Sequence, residues 1–358
     1  MIYFDHASTT SVKPIAISAI EKAPYGNPNS IHGPGLEARS KLLEAEEIVK
    51  NYINGHEGKI VWLSTASLAN HLVITNAFKT ALHTPNTFMC MPTAHKSIRR
   101  FARPNNMMNP NPSGLISIKE LTKKVTNDTR LVSVLYVNNE TGVIQPVELI
   151  KPKIKKALYH VDAVQAAGKL PIDVQKIQCD FLTMSGHKFG TPKGIACLWI
   201  KDENTIDLPY LGTPQVPLAY AFAKTLASID LTKRKVDMIL KEQFFKKRLI
   251  KHTKTLKIKY DYNIKTIRRL PGILSIKFEG IDSSELLMNL SDQGLAVSAG
   301  SACNSMDIVP SHVLTGMGIS PEDALSTIRI SLAPENMWEE IEKGVIILTE
   351  VVKGMLND

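Results

Sequence analysis

Asp180-Phe-Leu-Thr-Met-Ser-Gly-His-Lys188 is the stretch on which the fold turns. Phe181 to Met184 reads as a short buried strand, and Ser185-Gly-His then leads directly to a lysine. In an open α/β sheet, ligands collect at the carboxyl ends of the strands. A lysine held there, partly out of water, has a lowered pKa and can form a Schiff base with a carbonyl compound. Ser185 and His187 can reach a phosphate beside it. On its own the string is weak and better suits a surface lysine, so its neighbours in the chain decide.

Upstream, His160-Val-Asp162-Ala-Val-Gln165 closes another short apolar run. An aspartate there can pair with a protonated pyridine nitrogen, the pairing that pyridoxal phosphate needs to act as an electron sink. It can also be a turn or cap residue. Val137-Asn138-Asn139-Glu140-Thr-Gly142 ends a third, almost wholly apolar run from Leu131 to Val137. Ser64-Thr-Ala-Ser67 precedes a helical pattern, where backbone N–H groups make either an anion site or a plain N-cap. Thr93-Ala-His95-Lys96 offers a histidine that can stack on a ring or simply pack.

Further strands are expected at Lys59 to Leu63, Thr87 to Met91, Leu158 to Val161 and Ile195 to Ile200, with helices at Ser67 to about Ala81 and Val147 to Ala157. Such alternation argues for a mostly parallel sheet covered by helices. After it comes a long charged helix from near Leu218 past Phe245. Ile273 to Phe278 and Thr327 to Leu332 then read as strands, and Ser284 to Gln293 and Trp338 to Lys353 as helices. Asp282 or Ser283 suits the cap of the first of those helices and Gly294 its end. In Ile328-Arg329-Ile330-Ser331-Leu332, Arg329 faces away from its apolar neighbours and suits either a carboxylate ligand or a salt bridge. Ser298-Ala-Gly-Ser-Ala-Cys303 is a run of small residues with one thiol, expected to form a mobile loop.

Composition limits the alternatives. The 358 residues are 44% hydrophobic and 22% charged, which excludes a disordered chain, a collagen-like fibre and a small disulfide scaffold. No apolar run is long enough to span a bilayer, and the first residues do not read as a secretion signal. The four cysteines have neither metal-type spacing nor a disulfide framework, so a reducing cytoplasm is expected. The net charge of +9 comes with basic clusters at Lys151 to Lys156 and Lys246 to Lys259. Without a nucleic-acid motif these read as solvated faces, and no direct nucleic-acid contact is expected.

In their joint order these segments resemble the cysteine desulfurases of the NifS/IscS type, within the class V aminotransferase family. The likeness runs along the whole chain through Asp5-His-Ala-Ser-Thr-Thr10, Gly26-Asn-Pro-Asn-Ser-Ile-His32, His95, Asn138-Asn139-Glu140, His160-Val-Asp162, Ser185-Gly-His-Lys188, Ser301-Ala-Cys303 and Arg329. It implies the α/β fold type I of the transferases that depend on pyridoxal 5'-phosphate. A large domain, residues 14–232, would carry a mostly parallel seven-stranded sheet between helices. Residues 1–13 and 233–358 would form a smaller α+β domain with the Cys303 loop and Arg329.

The likeness also implies roles. Lys188 would bond covalently to the cofactor, Asp162 would meet its pyridine nitrogen and Gln165 its phenolic oxygen. His95 would stack on the ring, and Ser67, Ser185 and His187 would hold the phosphate. Thr213 would reach the phosphate from the second subunit of a homodimer. Asn139 and Arg329 would hold L-cysteine, and Cys303 would accept its sulfur, leaving alanine. The persulfide would pass to an acceptor protein, an iron–sulfur scaffold or a tRNA-thiolation enzyme. A selenocysteine lyase, another class V lyase or transaminase, and a non-catalytic partner- or RNA-binding homologue are the alternatives. The chain departs from the family's usual pattern at Thr65 and Leu68 and is shortened between Pro209 and Pro217.

Overall fold

A strand buried on both faces must be apolar throughout, and the computed structural model sets several such runs side by side. It describes residues 1–79, 87–300 and 309–357. The strands are β1 Ile2–Tyr3, β2 Lys59–Leu63, β3 Phe88–Cys90, β4 Leu131–Leu135, β5 Leu158–Asp162, β6 Phe181–Ser185, β7 Ala196–Ile200, β8 Tyr260–Tyr262, β9 Ile273–Phe278, β10 Leu295–Ala296 and β11 Thr327–Ser331. The main sheet runs β2-β7-β6-β5-β4-β3, with β7 antiparallel to both neighbours and the other pairs parallel. β4, β6 and β7 are buried at every residue.

This is the expected fold class with one strand fewer than expected. Among the described residues the sheet has six strands, and beyond β3 only a single parallel bridge, Cys90 with Met107, marks the outer edge. The Pro104–Asn106 turn and Pro110 leave that segment too short to extend the pairing, and proline has no N–H for a ladder. Two helical expectations also change. Val147 to Ala157 forms two single turns, Val147–Leu149 and Lys151–Lys153, because Pro152 interrupts any longer helix. The long charged helix is two, Val216–Ala227 and Leu231–Leu256, and Asp230 caps the second by accepting from the Lys233 N–H. Asp282 caps Ser283–Asp292 as expected, and Gly294 follows that helix at φ +82°.

A separate hydrophobic cluster forms around the second sheet, β11-β9-β8, and gathers Phe4, Phe245, Ile276, Phe278, Ile330 and Val345. The start of the chain is woven into it. β1 pairs with β10, and Asp5 bridges to Ser331, the last residue of β11. Phe4 is fully buried and lies against Gly344 of the helix Trp338–Met355. A Cβ at Gly344 would come within 2.3 Å of the Phe4 ring. Gly344→Ala should therefore lower unfolding stability by about 1–3 kcal/mol, measured by denaturant titration, as overpacking does. An unchanged midpoint would mean the ring has room to move.

No helix of the described residues is long and apolar enough to cross a membrane. Those residues hold no group of three or more metal-ligating side chains.

Candidate active site

β5 and β6 are parallel neighbours in the register Asp162 with Thr183. Both carboxyl ends therefore open at one edge of the sheet, and Asp162 and Lys188 come to the same cavity there. It measures about 420 Å³ and is lined by Ser67, His95, Asn139, Asp162, Gln165, Ser185, His187, Lys188 and Arg329, among others. Of the residues expected in the site, Thr213 is exposed on the loop ahead of Val216–Ala227 and does not reach this cavity within the chain. Cys303 lies outside the described residues.

Asp162 is fully enclosed. Its Oδ1 accepts the Val164 N–H at 3.1 Å and its Oδ2 accepts from Asn70 Nδ2 at 3.1 Å. Burial pushes its carboxyl up, and the His95 and Lys188 charges together with those two bonds oppose the shift. His95 is driven down by burial, against the pull of Asp162. Its Nδ1 sits 2.8 Å from Ser97 Oγ, which fixes the ring plane at the start of the Lys96–Arg99 turn. Behind Asp162, His160 is clamped between Ser133 Oγ at 2.8 Å and Thr183 Oγ1 at 2.9 Å, and burial lowers its pKa to about 3. A neutral imidazole thus ties β4, β5 and β6 together directly behind the site.

At the other end, Lys188 Nζ donates to the carbonyls of Ala7 at 2.8 Å and Ser8 at 2.5 Å. Arg329 is 2% exposed. Its guanidinium donates to Asp5 Oδ1 at 2.5 Å, Ser8 Oγ at 2.6 Å and the Asn139 carbonyl at 3.0 Å. Its Nε is buried and has no partner among the described residues. The segment Asp5 to Ser8 thus positions both the lysine and the arginine. Ser67 lies in the first turn of Ala66–Lys79, and Ser185 and His187 face the same end. Burial first, and then Lys188, lowers His187 to about 4, leaving a neutral ring whose Nδ1 lies 3.2 Å from Thr9 Oγ1.

Sequence reasoning missed Asn70 and Ser97 and gave Asp5 and Ser8 no role. Asn70 was within reach, because it follows Ser67 by three positions and so shares its helix face. The partnership of Asp5 with Arg329 spans 324 residues and leaves no local signal.

These residues fit a pyridine cofactor with a phosphate arm. A buried carboxylate aimed into a cavity calls for a cation opposite it, and a protonated ring nitrogen supplies one. Small hydroxyls, a neutral histidine and a helix start suit the phosphate.

A sequence description of the family Aminotransferase class-V matches residues 2–211 and 208–343. The chain belongs to the class V aminotransferase family. Over its whole length it is similar to cysteine desulfurases. One is cysteine desulfurase IscS 1 of Archaeoglobus fulgidus, 30% identical across 100% of this chain and 97% of that protein. Among solved structures, a NifS-like protein aligns with a TM-score of 0.85 at 29% identity and covers 98% of each chain. SspA in complex with cysteine aligns at 0.79 and 27% identity, over 94% of this chain and 100% of that one.

Proposed function

We propose that this chain, a cysteine desulfurase that depends on pyridoxal 5'-phosphate, takes the sulfur of L-cysteine as a persulfide on Cys303 and hands it to an acceptor protein. The observation that carries the reading is the single cavity faced by a buried carboxylate, Asp162, a lysine, Lys188, and an arginine, Arg329, with a buried N–H unpartnered among the described residues.

Bound there, the cofactor would supply an electron sink for the Cα carbon of the substrate. Lys188, Asp162, Gln165, His95, Ser67, Ser185 and His187 would hold it. The residues divide the remaining work. Arg329 binds the L-cysteine carboxylate through its free N–H, and Asp5 prevents it from swinging away. Asn139 lines the cavity beside it. Lys188 Nζ would take the proton from Cα and return one to the carbon skeleton. Asp162 keeps the ring nitrogen protonated. The Cys303 thiolate forms an S–S bond to the substrate sulfur while the Cβ–S bond breaks. The thiol sulfur is oxidised to a persulfide, the carbon is reduced, and alanine leaves. Cys303 also stands alone chemically. Cys90, Cys179 and Cys197 are buried, and burial raises all three thiols, Cys90 to about 12. An inert thiol of that kind cannot attack sulfur.

A homodimer in the cytoplasm is part of the proposal. Tyr25, Ile31 and Tyr210 are each more than 90% exposed, large side chains that a second copy would cover. Thr213 follows Tyr210 on the same loop and would reach the phosphate of that copy. The acceptor is an iron–sulfur scaffold or a tRNA-thiolating enzyme. The clusters around the two sheets support the domain division at residues 13 and 232, with Ala7, Leu270 and Ile273 reaching across into the larger one.

The deciding experiment is alanine release from L-cysteine with and without added pyridoxal phosphate. Cofactor-dependent alanine is expected; a loaded protein that forms none, or that prefers selenocysteine, would overturn the substrate assignment. Cys303→Ala should keep the cofactor yet lose persulfide transfer at least about 100-fold. Normal sulfide output from it would remove Cys303 from the mechanism. Arg329→Lys keeps the charge but loses the planar fork, so KM for L-cysteine should rise on the order of tenfold with kcat less affected. An unchanged KM would leave the carboxylate without its assigned partner.

A further inference from the structure

Lys169 has no part in the chemistry above, yet it stands one side chain behind the cofactor cavity. Its Nζ donates to Gln165 Oε1 at 2.6 Å, and Gln165 Nε2 donates to the Ala7 carbonyl at 2.7 Å. The same Ala7 carbonyl accepts from Lys188. An ammonium only donates and a carbonyl only accepts, so the two partners fix which way the Gln165 amide points. Turned over, it would set NH₂ against NH₃⁺ and oxygen against oxygen. With Oε1 engaged and one N–H on Ala7, the group that Gln165 keeps for the cavity is its second N–H.

The turn that carries Lys169 is itself held. Gly168 has φ +70°, its N–H donates to Tyr52 Oη at 3.0 Å, and a Cβ there would meet Phe189, the residue after Lys188, at 2.7 Å. The turn that carries Lys169 thus packs on the residue that follows Lys188. Lys169 also faces a wider cavity of about 750 Å³, together with His6, Arg234 and Glu242. Glu242 is spent on Arg269, Lys246 and the Gly272 N–H.

We propose that Lys169 is a positioning residue that holds Gln165 as a pure hydrogen-bond donor toward the ring oxygen of the bound cofactor. The inference rests on the pyridoxal phosphate reading of the site. A donated hydrogen bond with a cation behind it stabilises that oxygen as an anion. It also disfavours a proton on the nitrogen that joins Lys188 to the cofactor. Burial, then Arg234, Lys188 and Arg329, all press Lys169 toward its neutral form. Attachment of Lys188 to the cofactor would remove one of those three cations, and Gln165 Oε1 at 2.6 Å gives the Lys169 ammonium its acceptor.

The test is a pH titration of the visible absorbance of the loaded protein for wild type, Lys169→Met, Lys169→Arg, Gln165→Ala and the double variant Lys169→Met with Gln165→Ala. Removing a cation favours the protonated nitrogen, so the Lys169→Met midpoint should rise by about one pH unit, with Lys169→Arg close to wild type. In the Gln165→Ala background the same substitution should shift it little. If Lys169→Met does not fold, Lys169→Gln gives the comparison with a smaller rise. An unmoved midpoint in a coloured variant overturns the proposal. So does an equal shift in both backgrounds, because the charge would then act without Gln165. A wild-type protein lacking a borohydride-reducible band overturns the cofactor reading first, and this inference with it.

Discussion

Lys188→Ala should yield a protein whose cofactor can no longer be fixed by borohydride and which forms alanine from L-cysteine at least about 10⁴-fold more slowly. The expectation follows from how the side chain is placed. Its amine is pinned by the Ala7 and Ser8 carbonyls, aligned along the segment that also holds Arg329. In the proposed mechanism it is both the attachment point and the base beside the substrate carbon. Losing it removes two functions at once, which a neighbouring amine at a different angle cannot supply. Lys193 also lines the cavity and is the natural rival. Borohydride reduction followed by peptide mapping separates them: a label retained in Lys188→Ala, on Lys193 or elsewhere, would show that the covalent lysine was misassigned. Fold stability should change little, because the side chain is only partly buried.

Asp162→Asn is expected to cost about 10³-fold in alanine formation while leaving the fold intact, the size of effect seen when one preorganised electrostatic partner is lost. Asparagine keeps the shape and can still accept the Val164 N–H, but it carries no charge to hold a proton on the ring nitrogen. The same change should make the apo-protein more stable. Asp162 is a buried carboxylate whose ionised form is opposed by burial, and asparagine removes that cost. Higher thermal stability without cofactor combined with lower turnover is the signature of a charge kept for chemistry. Turnover within tenfold of wild type would remove Asp162 from the electronic role. A fall in apo stability would mean that its bond with Asn70 matters more to the fold than its desolvation.

The sequence was sufficient for the α/β alternation and for the strand ends that carry Asp162 and Lys188. Both are local facts. β4 and β6 are legible because a strand covered on both faces cannot contain charge, and their ends are legible because polar and small residues begin there. Parallel pairing then has to bring those ends to one edge, and the register of Asp162 with Thr183 does so. The missing edge strand was less legible, since Met107 and Met108 are apolar and only the prolines on either side keep them from pairing at length. Val147 to Ala157 misled for a related reason: an apolar periodicity survives there although Pro152 denies it a helix.

Tertiary structure alone decided who holds whom. Arg329 is read from its strand as an inward cation, but its restraint by Asp5 and Ser8 exists only because the start of the chain threads between the two sheets. The same threading brings the Ala7 carbonyl to both Lys188 and Gln165, and so joins Lys169 to the site. Such contacts depend on where distant backbone segments come to rest, and no periodicity or short motif encodes that. Local pattern thus determined which residues are able to do chemistry here, and the packing of remote segments determined the direction in which each of them points.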